Sequence, residues 1–144
     1  MNLQEAISRY SVPEIDLEAL KGQEESFSLS MELLDGVAKT KTQNRRHSSY
    51  GYKHMIENPS SKCPSPRPPE VYLNYTYEGT FILAAIASGF ERRQHSDGLT
   101  SSFNISERSL MARLREFANK YAEQDADGQS ATSVTSKSQP QIQP

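Results

Sequence analysis

The large apolar side chains of this chain are few, and two stretches near residues 80 and 110 carry the clearest helical signals. Leu, Ile, Val and Phe together make up 27 of the 144 residues, which is close to the composition of disordered chains. The longest apolar stretch spans residues 81–87. It is nonpolar nearly all round, as expected of a buried helix. We therefore predict one small helical fold that occupies only part of the chain.

The second stretch has the apolar period of an amphipathic helix. Two starts are open for this helix. Asn104 with Glu107 fits a capping box, and Ser106 fits a cap with Ile105 packed on Leu110 as a hydrophobic staple. The spacing of its apolar side chains forms one continuous stripe, made of Leu110, Leu114, Phe117, Ala118 and Tyr121.

Together the two stretches predict an α-helical hairpin, residues 78–93 against 105–123, within a module of residues 71–123. The hairpin alone buries too little apolar surface to offset the entropy lost on ordering it. We expect the N-terminal helices, self-association or a partner to stabilise it. Whether residues 71–77 are strand or helix is left open. The candidate face, for a partner or for the core, consists of Phe81, Ile82, Ile86, Leu110, Leu114, Phe117 and Tyr121.

Charge is segregated along the chain, although the net charge is only −2. Residues 1–38 carry eight acids and two bases, whereas residues 39–54 carry five bases and no acid. The acidic segment predicts short helices at residues 3–10, 11–22 and 26–34, the second opened by a capping box from Ser11 to Glu14. Because such short helices are marginal in water, we expect them to fold when docked.

Two regions are predicted to be disordered. Residues 39–70 combine the basic block with four prolines between residues 64 and 69, and proline-rich chain favours an extended linker. Residues 124–144 contain almost no apolar side chains and predict a disordered tail. The predicted fold class is therefore mainly α with extensive disorder, an unstructured linker and an unstructured tail.

The sequence favours the cytoplasm or nucleus. Its start lacks the basic end and apolar run of a signal peptide. The apolar stretch at residues 81–87 is far shorter than the roughly 20 residues that span a bilayer, so no membrane is expected. Cys63 is the only cysteine, which excludes an intrachain disulfide.

Patterns typical of catalysis are missing. The sequence has no glycine-rich phosphate loop, nucleophile elbow or HExxH motif. Its histidines, His47, His54 and His95, fall in segments predicted as loop. We therefore predict no enzymatic activity, no cofactor and no metal site.

Short motifs predict phosphorylation of three side chains. Arg45 and Arg46 precede Ser48 by three and two residues, the spacing recognised by basophilic kinases of the cAMP-dependent type. Phosphate there would insert about −1.5 to −2 charges into the basic block. Ser65, which precedes a proline, suits proline-directed kinases. Tyr72, with an asparagine two residues later, suits an SH2 domain as phosphotyrosine.

Several pieces of the sequence resemble, in order, the heat-stable inhibitor of cAMP-dependent protein kinase. They are Thr76 with Tyr77, Phe81, residues 86–89, and Arg92 with Arg93. The resemblance implies inhibition of a basophilic protein kinase. In that family an alanine follows the arginine pair after one spacer, whereas this chain has Gln94 and His95.

The leading hypothesis is a non-enzymatic regulatory or adaptor protein that binds a protein partner through the helical module, with phosphorylation of the linker as control. An alternative is a transcriptional regulator. Its activation-type segment would be the acidic N-terminus, with Phe27, Leu29, Met31, Leu33 and Leu34. A second alternative is a kinase inhibitor-like protein. Nucleic-acid binding has weaker support, since six bases near the hairpin face four acids and phosphate-binding faces carry a larger surplus.

Overall fold

The computed structural model describes residues 1–57, 75–96 and 98–132, with the backbone alone for residue 118 and residues 121–132. This part of the chain is mostly helical, as predicted. Its helices are α1, Leu3–Arg9; α2, Glu24–Leu34; α3, Ser49–Glu57; α4, Glu78–Ala87; and α5, Glu107–Thr132. A 3-10 turn spans Glu18–Leu20, and strands β1, Arg92–Gln94, and β2, Ser101–Phe103, form an antiparallel pair. No helix in these ranges is long and apolar enough to cross a membrane.

Helix α4 lies at the centre of the core. Every residue from Gly79 to Ala85 is buried, and Phe81 and Ile82 have no exposed surface. A helix that is apolar on all sides needs neighbours on all sides. Helices α1, α2 and α3 and strand β1 supply them.

Helix α2 packs against both α4 and α5. Its side chains Phe27, Leu33 and Leu34 are buried in the same core. The acidic N-terminal segment therefore supplies apolar surface to both helices of the predicted hairpin. Both of those helices are present, and their direct pairing with each other stays a prediction.

Of the two predicted starts of α5, the structure has the second, in which Ser106 is the cap. The Ser106 hydroxyl accepts a hydrogen bond from the Ser109 amide at 3.2 Å, so Ser106 is the cap. The Asn104 side chain instead forms hydrogen bonds to the backbone of two neighbouring loops. Its side chain accepts from the Glu91 amide at 2.7 Å and donates to the Thr40 carbonyl at 3.2 Å.

The N-terminal helices agree with the prediction except for the second. Helix α1 opens with a capping box in which the side chains and amides of Asn2 and Glu5 bind each other at 2.8 and 2.9 Å. The helix predicted over residues 11–22 is reduced to the 3-10 turn. The predicted cap from Ser11 to Glu14 is wrong, because no helix begins there. The Glu14 carboxylate binds the Arg92 guanidinium at 2.9 Å instead.

Helix α3 contradicts the prediction that residues 39–70 form an unstructured linker. Tyr52, Met55 and Ile56 are spaced by three and four residues and form a buried stripe. Tyr52 stacks on Phe81 with the ring centroids 4.9 Å apart, and Phe81 meets Phe103 edge-on at 6.1 Å. The prediction for residues 39–70 rested on the basic block and the prolines and missed the helical period that Tyr52 forms with Met55 and Ile56. Residues 58–70 of the predicted linker lie outside the described residues.

Helix α5 continues past its predicted end at residue 123 to Thr132. Residues 124–132 contain no proline, and extending an existing helix costs much less free energy than starting one. The remainder of the predicted tail, residues 133–144, is outside the described part, and so are residues 71–74.

Candidate functional site: a basic groove

An open groove of ≈ 970 Å³ separates the loop of residues 38–48 from the hairpin of β1 and β2. We call it the basic groove. The residues that line it include two histidines, His47 and His95, and one carboxylate, Glu91. With histidine neutral, the lining carries a surplus of three positive charges. The cations are Lys41, Arg45, Arg46 and Arg93.

Asn44 fixes the shape of the loop on one side of the groove. Its amide N–H donates to the Phe103 carbonyl at 2.8 Å. Its Nδ2 donates to the Ile105 carbonyl at 3.0 Å and to Glu107 Oε1 at 3.1 Å, while Oδ1 accepts from the Arg46 amide at 2.8 Å. The backbone of Asn44 thus ties the loop to β2, and its side chain ties the loop to the start of α5 and to the backbone of Arg46.

Backbone contacts anchor the first half of the same loop. The Ala38 carbonyl accepts from the Ser106 amide at 2.9 Å, and the Thr40 amide donates to the Asn104 carbonyl at 2.9 Å. The Ala38 amide donates to the Ser109 hydroxyl at 2.9 Å. Because these bonds fix the backbone, the cations of the loop project from an ordered surface.

Glu107 contacts His47 and Asn44 and thereby stabilises the loop of residues 38–48. His47 Nε2 lies 3.0 Å from its carboxylate. Partial burial raises the pKa of Glu107, but hydrogen bonds from Asn44 and His47 and the charge of Arg46 outweigh that effect and leave the pKa below its ordinary value. The carboxylate is therefore ionised at neutral pH and keeps His47 and Asn44 in place.

Strand β1 presents two arginines with different roles. Arg92 donates to Glu14 at 2.9 Å and to the Ser101 hydroxyl at 2.7 Å, so it is a structural residue. Arg93 pairs with Ser102 across the sheet, and both side chains line the groove. Arg93 is exposed and forms no ion pair within the described part of the chain.

Lys41 and Arg45 resemble Arg93 in this respect. Both are exposed, and neither forms an ion pair with another described residue. Three cations therefore line one groove without an ion pair to any residue that the structure describes. The N-terminus of α3, which follows the lining residue Ser48, adds partial positive charge at the same end.

Sequence reasoning identified the basic block of the loop but missed Arg93 and His95. Arg93 was predicted at the end of a helix over residues 78–93, and His95 in a polar loop over residues 94–102. Helix α4 instead ends at Ala87, and the β-hairpin brings both side chains to the groove. A signal was available, because Asp97 followed by Gly98 is a frequent pair in hairpin turns.

The predicted partner-binding or core face lies within the core of the protein itself. Its members with no exposed surface are Phe81, Ile82, Leu110, Leu114 and Phe117. Ile86 is half-buried, and the side chain of Tyr121 is outside the described residues. Side chains that pack inside the same chain are not available to a partner, so a binding surface has to be sought elsewhere.

The predicted phosphorylation sites fare differently. Ser48 is half-buried, lines the basic groove and accepts the first backbone bond of α3 from the Tyr52 amide at 2.9 Å. Ser65 and Tyr72 are outside the described residues. Ser48 lines the same groove as Arg45 and Arg46, the arginines of its motif.

Several residues on which the transcriptional-regulator and kinase-inhibitor alternatives depend are buried or paired within the fold. The apolar side chains of the acidic N-terminal segment are not free to act as an activation-type segment, since Phe27, Leu29, Leu33 and Leu34 are buried and Met31 is half-buried. For the resemblance to the kinase inhibitor, Phe81 is buried and Arg92 is paired with Glu14.

The described residues contain no group of three His, Cys, Asp or Glu side chains that could hold a metal ion. His47 and His54 each bind one carboxylate instead, Glu107 at 3.0 Å and Glu57 at 2.9 Å. What the groove offers is positive charge and N–H donors on a fixed backbone, an arrangement that suits the binding of anions. No protein-family model, no curated protein and no solved structure matches the chain.

Proposed function

We propose that this protein is a non-enzymatic regulatory or adaptor protein that binds an anionic segment of a protein partner in the basic groove. One observation carries the proposal: Lys41, Arg45 and Arg93 line one groove, and none of them forms an ion pair with another residue that the structure describes. Clefts lined by one sign of charge concentrate ligands of the opposite sign. Arginine also binds carboxylates and phosphates through two parallel hydrogen bonds.

The fixed loop favours this role. Asn44 and Glu107 hold the loop that carries Lys41 and Arg45 in position before any partner arrives. A preorganised surface loses less conformational entropy on binding than a flexible one. The basic groove therefore suits a specific contact better than a mobile basic tail would.

Charge elsewhere on the molecule favours a short anionic segment over nucleic acid. The whole chain has 18 acids against 16 lysines and arginines, and residues 1–38 are strongly acidic. A long polyanion that ran beyond the groove would meet carboxylates. Nucleic-acid surfaces carry a broad positive surplus instead.

Capture of partners from cell extract tests the proposal. The full chain is immobilised as wild type, as the groove variant Arg45→Glu/Arg93→Glu, and as the control Arg9→Glu/Arg115→Glu, which makes the same charge change at exposed arginines outside the groove. We expect proteins that the wild type and the control retain, that salt elutes, and that the groove variant loses. Equal recovery by all three chains would contradict the proposal.

A further inference from the structure

Ser48 lies in the wall of the groove that its own motif lines. Arg45 and Arg46, which precede it, and Arg93 from β1 line the same groove. The backbone at Ser48 is fixed, because its carbonyl accepts the Tyr52 amide at 2.9 Å and Tyr52 stacks in the core. A group attached to the Ser48 hydroxyl would therefore be held among these arginines.

We propose that a phosphate on Ser48 occupies the basic groove from within the chain and excludes the anionic partner; this inference rests on the function proposed above. A protein kinase transfers the γ-phosphoryl group of ATP to Ser48 Oγ. The Oγ–P bond forms, the bond from the γ-phosphorus to the β,γ-bridging oxygen breaks, ADP leaves, and the hydroxyl proton passes to a base of the kinase.

Charge and geometry both lead to exclusion. A phosphoserine brings about −1.5 to −2 charges and three acceptor oxygens, so it lowers the surplus of three positive charges in the groove to about one. Arg45 and Arg93, which have no ion pair within the described chain, offer paired N–H donors to phosphate. Because the phosphate is tethered, it competes at a high effective concentration.

The contacts of Ser49, the residue after Ser48, determine how the phosphorylated chain is prepared. The Ser49 hydroxyl binds Glu78 and accepts from the Ser101 amide at 2.9 Å, so the segment after Ser48 is engaged in the fold. Phosphoserine is therefore incorporated at position 48 during synthesis of the full chain, which removes kinase recognition from the experiment. Phosphoserine at Ser8, an exposed serine on α1, is the control with equal charge.

Two readouts test the proposal on the full chain. The NMR signals of the Arg45 and Arg93 Nε–Hε groups should shift with phosphoserine at position 48 and stay in place with phosphoserine at position 8. Binding of a fluorescein-labelled oligoglutamate peptide, measured by anisotropy, should weaken about tenfold for position 48 alone, the loss expected when one charged contact of moderate strength is removed.

Unshifted arginine signals would overturn the proposal, and so would an equal loss of binding from phosphoserine at position 8. Loss of the amide signals of α3 would also overturn it, because a phosphate that unfolds the helix is not held in the groove. Failure of the unphosphorylated chain to bind oligoglutamate would count against the proposed function. In that case the arginine signals would still decide whether phosphate occupies the groove.

Discussion

Single residues hold the basic groove in shape, and Glu107 is the one whose charge matters most. It binds Asn44 at 3.1 Å and His47 at 3.0 Å. Glu57 plays a similar part at the other end of α3, where its carboxylate accepts from the Thr76 amide at 2.7 Å. Burial raises the pKa of Glu57, and hydrogen bonds from Thr76, Lys53 and His54 bring it below its ordinary value.

These lowered pKa values predict a loss of stability in acid. A carboxyl whose pKa is lower in the folded than in the unfolded chain stabilises the fold fully above the unfolded value, and that contribution disappears as the pH falls through the folded value. We therefore expect the free energy of unfolding, measured in urea, to fall as the pH drops below 4.5, the ordinary value for Glu107. Glu107→Gln should flatten this dependence and cost about 1 kcal/mol at neutral pH.

Glu116→Gln is the matched control, because its carboxylate is largely exposed and lies 3.6 Å from Arg113. The control should keep the acid dependence of the wild type. Identical acid profiles for wild type and Glu107→Gln would contradict the role assigned to Glu107.

Tyr52 carries a second residue-scale prediction. Its ring is buried against Phe81, and its hydroxyl has no hydrogen-bond partner among the described residues. Burial, together with the charge of Glu107, raises the pKa of Tyr52 well above its ordinary value. An unpaired buried hydroxyl costs about 1–3 kcal/mol, so Tyr52→Phe should keep the stacking and raise the free energy of unfolding by about 1 kcal/mol.

Chemical denaturation of Tyr52→Phe checks this value, with Tyr52→Leu as the comparison that removes the ring. We expect Tyr52→Leu to be less stable than the wild type, because the stacked pair is lost. A Tyr52→Phe chain less stable than the wild type would show that the hydroxyl is satisfied.

At the scale of elements, what could be predicted depended on how local the signal was. The apolar stripe at residues 110–121 and the apolar run at residues 81–87 indicated α5 and α4, because each of these signals lies within one segment. Helix α3 and the β-hairpin were missed. Their stability comes from partners distant in sequence, as in the stacking of Tyr52 on Phe81 and the contact of Asn44 with Phe103. For the same reason, the sequence predicted the basic loop on one side of the groove but missed Arg93 and His95 on the other side.

The start of α4 shows the same dependence on distant residues and gives a prediction. Its cap position, Tyr77, makes no side-chain cap. Gln23, which precedes α2, supplies the acceptor instead: its Oε1 accepts from the Tyr77 amide and from the Thr80 hydroxyl, both at 2.8 Å. We expect Gln23→Ala to lower the free energy of unfolding by about 2 kcal/mol, because a buried donor and a partly buried donor lose their partner.

Gln23→Glu is the informative partner variant, since it keeps the oxygen in place. Thermal or urea unfolding should show it to be more stable than Gln23→Ala. If Gln23→Ala unfolded like the wild type, the start of α4 would not depend on Gln23.

At the scale of the whole molecule, the fold separates apolar surface from charge. The acidic N-terminal segment packs its apolar residues on α4 and α5, so the predicted hairpin helices gain the support that their own surface could not give. Phe81, Leu110, Leu114 and Phe117 are buried, whereas the cations Lys41, Arg45 and Arg93 line the basic groove and are exposed. Recognition in this account is therefore electrostatic and local.

We expect the affinity of the basic groove for an anionic ligand to fall as the salt concentration rises. Attraction between exposed charges is screened as ionic strength rises, whereas an apolar contact is not weakened in this way. Arg45 and Arg93 are exposed, so their replacement should leave the fold intact, and circular dichroism can verify that it does.

The most direct measurement is an anisotropy titration of a fluorescein-labelled oligoglutamate peptide with the wild type, with Arg45→Glu/Arg93→Glu and with the control Arg9→Glu/Arg115→Glu, at low and at physiological salt. We predict that the wild type and the control bind alike, that salt weakens both, and that the groove variant binds at least about tenfold less tightly. Equal affinity for the wild type and the folded groove variant would contradict the account.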